Sequence, residues 1–144
     1  MQDFPHHYSA HVETTSDGDT VTVRSPGLPA LDTAPPSEFG GPGDRWSPET
    51  LLMAAVTDCF VLGFKAIASA SKLEWRSLDV KVTGKLDRVD RKMLFTQLDI
   101  VSSVTVPAAG ESRAGRILEK AEESCLVTNS LSAEVRFTGN VETI

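Results

Sequence analysis

The stretch Ser47–Ser71 constrains this chain more than any other, because it reads as a helix that is apolar most of the way round. Ser47 suits the N-cap and Pro48 the first helical position. Glu49 falls in the first turn, where the helix dipole favours a carboxylate. Leu51, Leu52, Ala55, Val56, Cys59, Leu62, Gly63, Ala66 and Ile67 then follow at helical spacing. Met53, Ala54, Phe60 and Phe64 widen the apolar surface further. A helix of this kind must be covered on most sides. A chain of 144 residues can wrap it with its own sheet or share the task with a second copy of itself.

The remaining segments supply a sheet. Tyr8–Thr14 and Thr20–Arg24 read as two strands joined by Ser16–Asp17–Gly18–Asp19, an N-terminal hairpin over 8–24. Residues 25–45 hold five of the eight prolines and four glycines, so they are expected to be a loop. Such a length without secondary structure points to a functional segment. Residues 77–106 carry strands, with Leu78, Val80 and Val82 alternating and Phe95–Val106 following. Asp87–Lys92 between them is a charged hairpin tip. A second helix is expected over 111–128, with Ile117, Leu118, Ala121 and Cys125 on one face, and a last strand over 131–143. Strands in runs, broken by two separate helices, argue for an α+β fold in a single domain spanning 1–144.

The net charge of −6 and the lack of a basic stripe argue against a nucleic-acid partner. No run of 18 consecutive apolar residues occurs, so no membrane span is expected. The first ten residues are polar and lack the apolar stretch of a secretion signal, which makes the cytoplasm the expected location. Thiols stay reduced there, and a disulfide that forms is catalytic or sensing more often than structural.

The chain has two cysteines, Cys59 and Cys125, 66 residues apart in sequence and each inside an expected helix. Their bland use is as two buried small hydrophobes. Their chemical use is a thiol–disulfide reaction. A metal site is not expected, because neither Cys has zinc-motif spacing to the other or to His6, His7 or His11. The reactive form of Cys is the thiolate. Cys59 lies about 16 Å beyond the helix start, too far for the dipole to ionise it. Its helical neighbours Ala55, Val56, Leu62 and Gly63 carry no charge, so any cation must come from outside the helix. Cys125 sits near an expected helix C-terminus, whose partial negative charge opposes a thiolate. If the pair reacts, Cys59 is therefore the attacking thiol and Cys125 the resolving one. Met53, Phe60, Leu62 and Phe64 would make an apolar wall beside the sulfur. Such a wall favours peroxides with an organic tail, at about 0.8 kcal/mol per buried CH₂.

Glu38–Phe39–Gly40–Gly41–Pro42–Gly43, Trp46–Ser47–Pro48–Glu49, Leu51–Leu52, Ala54–Ala55 and Cys59–Phe60 together resemble the OsmC/Ohr family. In the second half Ala121–Glu122, Cys125 and Asn129–Ser130 agree. The resemblance implies an intertwined homodimer of α+β fold, with antiparallel sheets packed around two main helices. It implies a thiol peroxidase that reduces organic hydroperoxides without metal or haem. Cys59 matches the peroxidatic Cys and Cys125 the resolving Cys, whose disulfide is returned by an external thiol such as a dihydrolipoyl protein. Glu49 matches the family's active-site glutamate, which pairs with an arginine. Thr14–Gly18, where the family carries that arginine, has none. Arg45 and Arg24 are the nearest candidates, Arg45 being favoured for its place just before Trp46, and His11 is a weaker substitute. Trp46, Met53, Phe60 and Phe64 are the expected substrate contacts. The alternative function is a non-enzymatic relative that holds an apolar ligand in the dimer groove.

Overall fold

The computed structural model describes all 144 residues. The chain divides into two compact units, Met1–Leu51 and Leu52–Ile144. The division falls in the first turn of the long helix.

The first unit buries only Thr33, Ala34 and Ser47. Its sheet has two short antiparallel strands, β1 (Val21–Val23) and β2 (Leu31–Thr33), with Val21 opposite Thr33. The Thr22 hydroxyl donates to Asp32 Oδ1 at 2.7 Å across the pair. Tyr8–Thr14 is not a strand: one backbone bridge, His11 to Arg24, is all that forms. Every residue from His7 to Thr20 is exposed, and a strand with no apolar face to bury has nothing to hold it. The expected loop over 25–45 contains β2 and a 3₁₀ turn, Ser37–Phe39, that ends on Gly40 at φ +82°. Trp46 closes the segment by a parallel bridge to Thr33, its carbonyl accepting the Ala34 N–H at 3.0 Å.

Helix α1 (Pro48–Ala70) starts where expected. The Ser47 hydroxyl accepts the Thr50 N–H at 3.1 Å, and the Thr50 hydroxyl accepts the Ser47 N–H at 2.9 Å. This is a reciprocal capping box with threonine in place of glutamate.

The second unit holds the core. Strands β3 (Ser77–Val89) and β4 (Lys92–Val106) form a long antiparallel hairpin with an irregularity at Lys85/Leu86. Asp90 and Arg91 turn it at φ +49° and +67°, the left-handed pair that a two-residue hairpin requires. Then come α2 (Glu111–Glu123), a four-residue α3 (Leu126–Asn129) and β5 (Glu134–Thr143). The sheet order is β3-β4-β5, and β5 runs parallel to β4, which corrects the expectation of purely antiparallel sheets. The reason is topological: β5 follows a helical crossover, and such a connection returns the chain in the same direction.

Alternate residues of β4, from Leu98 through Ile100, Ser102 and Val104 to Val106, are buried on one face. The stripe Val56, Phe60, Phe64 and Ala68 of α1 and Ala114, Ile117, Leu118 and Ala121 of α2 complete the core. Phe60 packs on Phe137 at 5.7 Å between ring centroids, and Phe64 meets Trp75 edge-on at 5.4 Å. By length and composition α1 is apolar enough to cross a membrane, which a count of uninterrupted apolar residues misses because Asp58 and Lys65 break the run. Its buried stripe belongs to the core just described. Leu62, on another face, is 56% exposed.

Candidate functional site

The site lies in the second unit, where α1 meets the junction of α2 and α3. The expected continuous helix over 111–128 is broken there. The Ser124 hydroxyl donates back to the Lys120 carbonyl at 2.7 Å, ending α2. Cys125 then takes an extended conformation, φ −66° and ψ 104°, and occupies the N-cap position of α3. Its carbonyl accepts the Asn129 N–H at 3.0 Å and the Thr128 hydroxyl at 3.1 Å. Cys125 is thus not the last-turn residue of a helix, and the dipole argument against its thiolate loses its basis.

This break places the two cysteines together. Both are free thiols, Cys59 half-buried on α1 and Cys125 buried. The Cys125 thiol lies near enough to that of Cys59 to act on its ionisation. The backbone N–H groups of Val127 and Leu126, at the start of α3, also act on the Cys59 sulfur. Burial is the largest influence on that thiol and pushes its pKa above the ordinary value. The Val127 N–H opposes this, the Cys125 thiol reinforces it, and the Leu126 N–H opposes it again. Within this unit the groups acting on Cys59 include no cation. Two amides stand where a charged partner was expected, and a thiolate formed there would accept both N–H bonds. Nearby, burial and then Glu123 push the Glu122 carboxyl up.

Phe60 and Phe64, expected on the wall beside the sulfur, are fully buried core residues. They lie one turn apart on the inner stripe, where the sheet covers them. Met53 is half-buried and packs on Gly84, whose missing side chain makes the room: a Cβ there would lie 2.6 Å from Met53 Sδ. The large apolar side chains left exposed in the Cys59 segments are Leu62 and Leu126, the latter 69% exposed.

The remaining expected site residues belong to the first unit. Arg45 pairs with its neighbour Asp44 at 3.7 Å on the surface. Arg24 is exposed, and its backbone is bonded to His11. Trp46 is 48% exposed. Glu49 Oε2 is buried and has no hydrogen-bond partner, so neither arginine pairs with it. No group of three His, Cys, Asp or Glu side chains is placed to hold a metal ion.

The α3 amides were the part of the site that sequence reasoning missed. A helical pattern at 111–128 hides the break, yet Ser124–Cys125 followed by Thr128 has the polar spacing of a cap and a third-position partner, and that was the available signal.

A family model described as OsmC-like protein matches residues 41–139. The uncharacterised protein YmaD of Bacillus subtilis is 23% identical over 138 residues, covering 92% of this chain and 91% of that one. Peroxiredoxin OsmC of Escherichia coli is 30% identical over 89 residues, 62% of each chain. Among solved structures, an OsmC-like protein of unknown function from Vibrio cholerae superimposes with a TM-score of 0.81 at 19% identity, covering 97% of this chain and 100% of the other. The matched stretch contains both cysteines and all of α1, and the α+β architecture is common to both chains of that superposition. This chain belongs to the OsmC-like protein family.

Proposed function

We propose that this chain is a thiol peroxidase that reduces organic hydroperoxides, with Cys59 as the attacking thiol and Cys125 as the resolving one. Family membership and a relative named peroxiredoxin support a peroxide-related role. The observation that carries the finer reading is that the Cys125 thiol, 66 residues away in sequence, lies near enough to act on the ionisation of Cys59. In the reaction the Cys59 thiolate attacks one oxygen of the O–O bond. An S–O bond forms, the O–O bond breaks and the alcohol leaves with a proton, giving a Cys59 sulfenic acid. The Cys125 sulfur then attacks the Cys59 sulfur, an S–S bond forms and water leaves. An external dithiol, such as a dihydrolipoyl protein, reduces the disulfide by exchange. The α3 amides hold the Cys59 anion in the manner of an oxyanion hole. The expected setting is a homodimer in the cytoplasm.

One observation favours the non-enzymatic alternative: burial leaves the Cys59 thiol harder to ionise than a free one. Steady-state reduction of cumene hydroperoxide with dihydrolipoamide separates the two. The reading expects turnover by the parent protein, none by Cys59→Ser, and a trapped Cys59 sulfenic acid in Cys125→Ser. Turnover by Cys59→Ser equal to the parent's would exclude it.

A further inference from the structure

Reduction of a Cys59–Cys125 disulfide can begin at either sulfur, and the surroundings of the two residues differ. Cys59 is half-buried, and Ala55, one turn earlier on α1, and Asp58 beside it are both exposed. Cys125 is 2% exposed. The residues one turn before and three positions after it, Ala121 and Thr128, are buried as well. Cys59 thus lies on a helix face that opens to solvent, and Cys125 is enclosed at the break between α2 and α3. In thiol–disulfide exchange the incoming thiolate approaches along the S–S axis, from the side away from the leaving sulfur. Access to the attacked sulfur and the quality of the leaving group then decide the outcome. A nucleophile aimed at Cys125 has no open route, because the interior around Ala121 is close-packed core. The leaving group does not reverse this preference. A thiol of lower pKa leaves faster, and the α3 amides act on Cys59 in that direction, but burial is the larger influence and holds its pKa above the ordinary value.

We propose that an external dithiol attacks the disulfide at Cys59 and that Cys125 is the leaving thiol, an inference that rests on the pairing of these two residues in the proposed function. The incoming thiolate forms an S–S bond to Cys59, and the Cys59–Cys125 bond breaks. Cys125 takes the electron pair and then the proton that the incoming thiol gave up. The second thiol of the reductant, as thiolate, attacks the reductant's own sulfur in the mixed disulfide. An S–S bond closes within the reductant and Cys59 leaves as a thiolate. Cys59 therefore meets both the peroxide and the reductant, and Cys125 meets neither.

Diamide closes the disulfide in the full-length protein without any peroxide. Mercaptoethanol, a monothiol that cannot free itself from a mixed disulfide by ring closure, is then added. The mixture is quenched at short intervals with excess N-ethylmaleimide, and each cysteine is mapped by mass spectrometry. The expected product carries mercaptoethanol on Cys59 and maleimide on Cys125, in excess over the reverse product by at least about tenfold. The reduced single-cysteine variants give a second reading. Cys125→Ser, which keeps Cys59, is expected to react with dithiodipyridine at least about tenfold faster than Cys59→Ser. Mercaptoethanol on Cys125, an even division between the two, or equal rates in the two variants would overturn the inference and leave the peroxidase reading standing. A protein whose disulfide diamide cannot close would overturn both. A disulfide that forms with diamide but not with cumene hydroperoxide would count against the peroxidase reading alone, the attacked sulfur still being decided by the map.

Discussion

At the residue scale the question is what holds the Cys59 sulfur as an anion. Burial works against ionisation, and the Val127 and Leu126 N–H groups work for it. Because the thiol's pKa is raised, the thiolate is the minor form at neutral pH. Reactivity with an alkylating agent should climb with pH through and beyond the ordinary thiol range of about 8.5, without levelling there. Leu126→Pro tests the amides selectively. Proline lacks the N–H, and its fixed φ suits the first position of a helical turn. A hydrogen bond to a charged group contributes about 1.5–3 kcal/mol, and the lower end applies to a half-buried sulfur. The titration of Cys59 should therefore move up by about one unit, slowing alkylation at pH 7.5 about tenfold. A profile unchanged in Leu126→Pro would remove the Leu126 amide from the account.

At the element scale the decisive feature is the break between α2 and α3, which turns a distant cysteine back toward α1. The sequence made much of this visible. The start of α1 could be read from Ser47, Pro48 and Glu49, and the β3–β4 hairpin from its alternation and charged tip. The break could not, because Ala121 and Cys125 keep helical spacing through it and only the Ser124 back-bond and the extended Cys125 backbone reveal the stop. The direction of β5 was hidden for a different reason: period-two alternation carries no sign of strand polarity. At the other end of α1, the Ser47–Thr50 box is a local device whose removal can be measured. Ser47→Ala should cost about 1–2 kcal/mol in urea unfolding, since it leaves the Thr50 N–H without its acceptor. A loss below about 0.3 kcal/mol would show that the cap is dispensable.

At the scale of the whole molecule, α1 remains the constraint from which the reading began. Its inner stripe is covered by the sheet and α2, which accounts for Phe60 and Phe64 being core residues. Their apolar character was legible; which face of a helix apolar all round would turn inward was not. Leu62 keeps an outward apolar face, and a second copy of the chain is the cover expected for it. Light scattering should give twice 15.5 kDa for the parent, and Leu62→Asp should shift it toward the monomer. A parent protein already monomeric at micromolar concentration would contradict that expectation.

The central claim is that Cys59 and Cys125 form one redox unit, and oxidation of the reduced protein tests it most directly. A small excess of cumene hydroperoxide is added, free thiols are counted over time, and the product is mapped by mass spectrometry. The account predicts loss of both thiols within seconds and an intramolecular Cys59–Cys125 disulfide. Thiols that survive for hours, or a Cys59 oxidised to sulfinic acid with Cys125 still free, would contradict it.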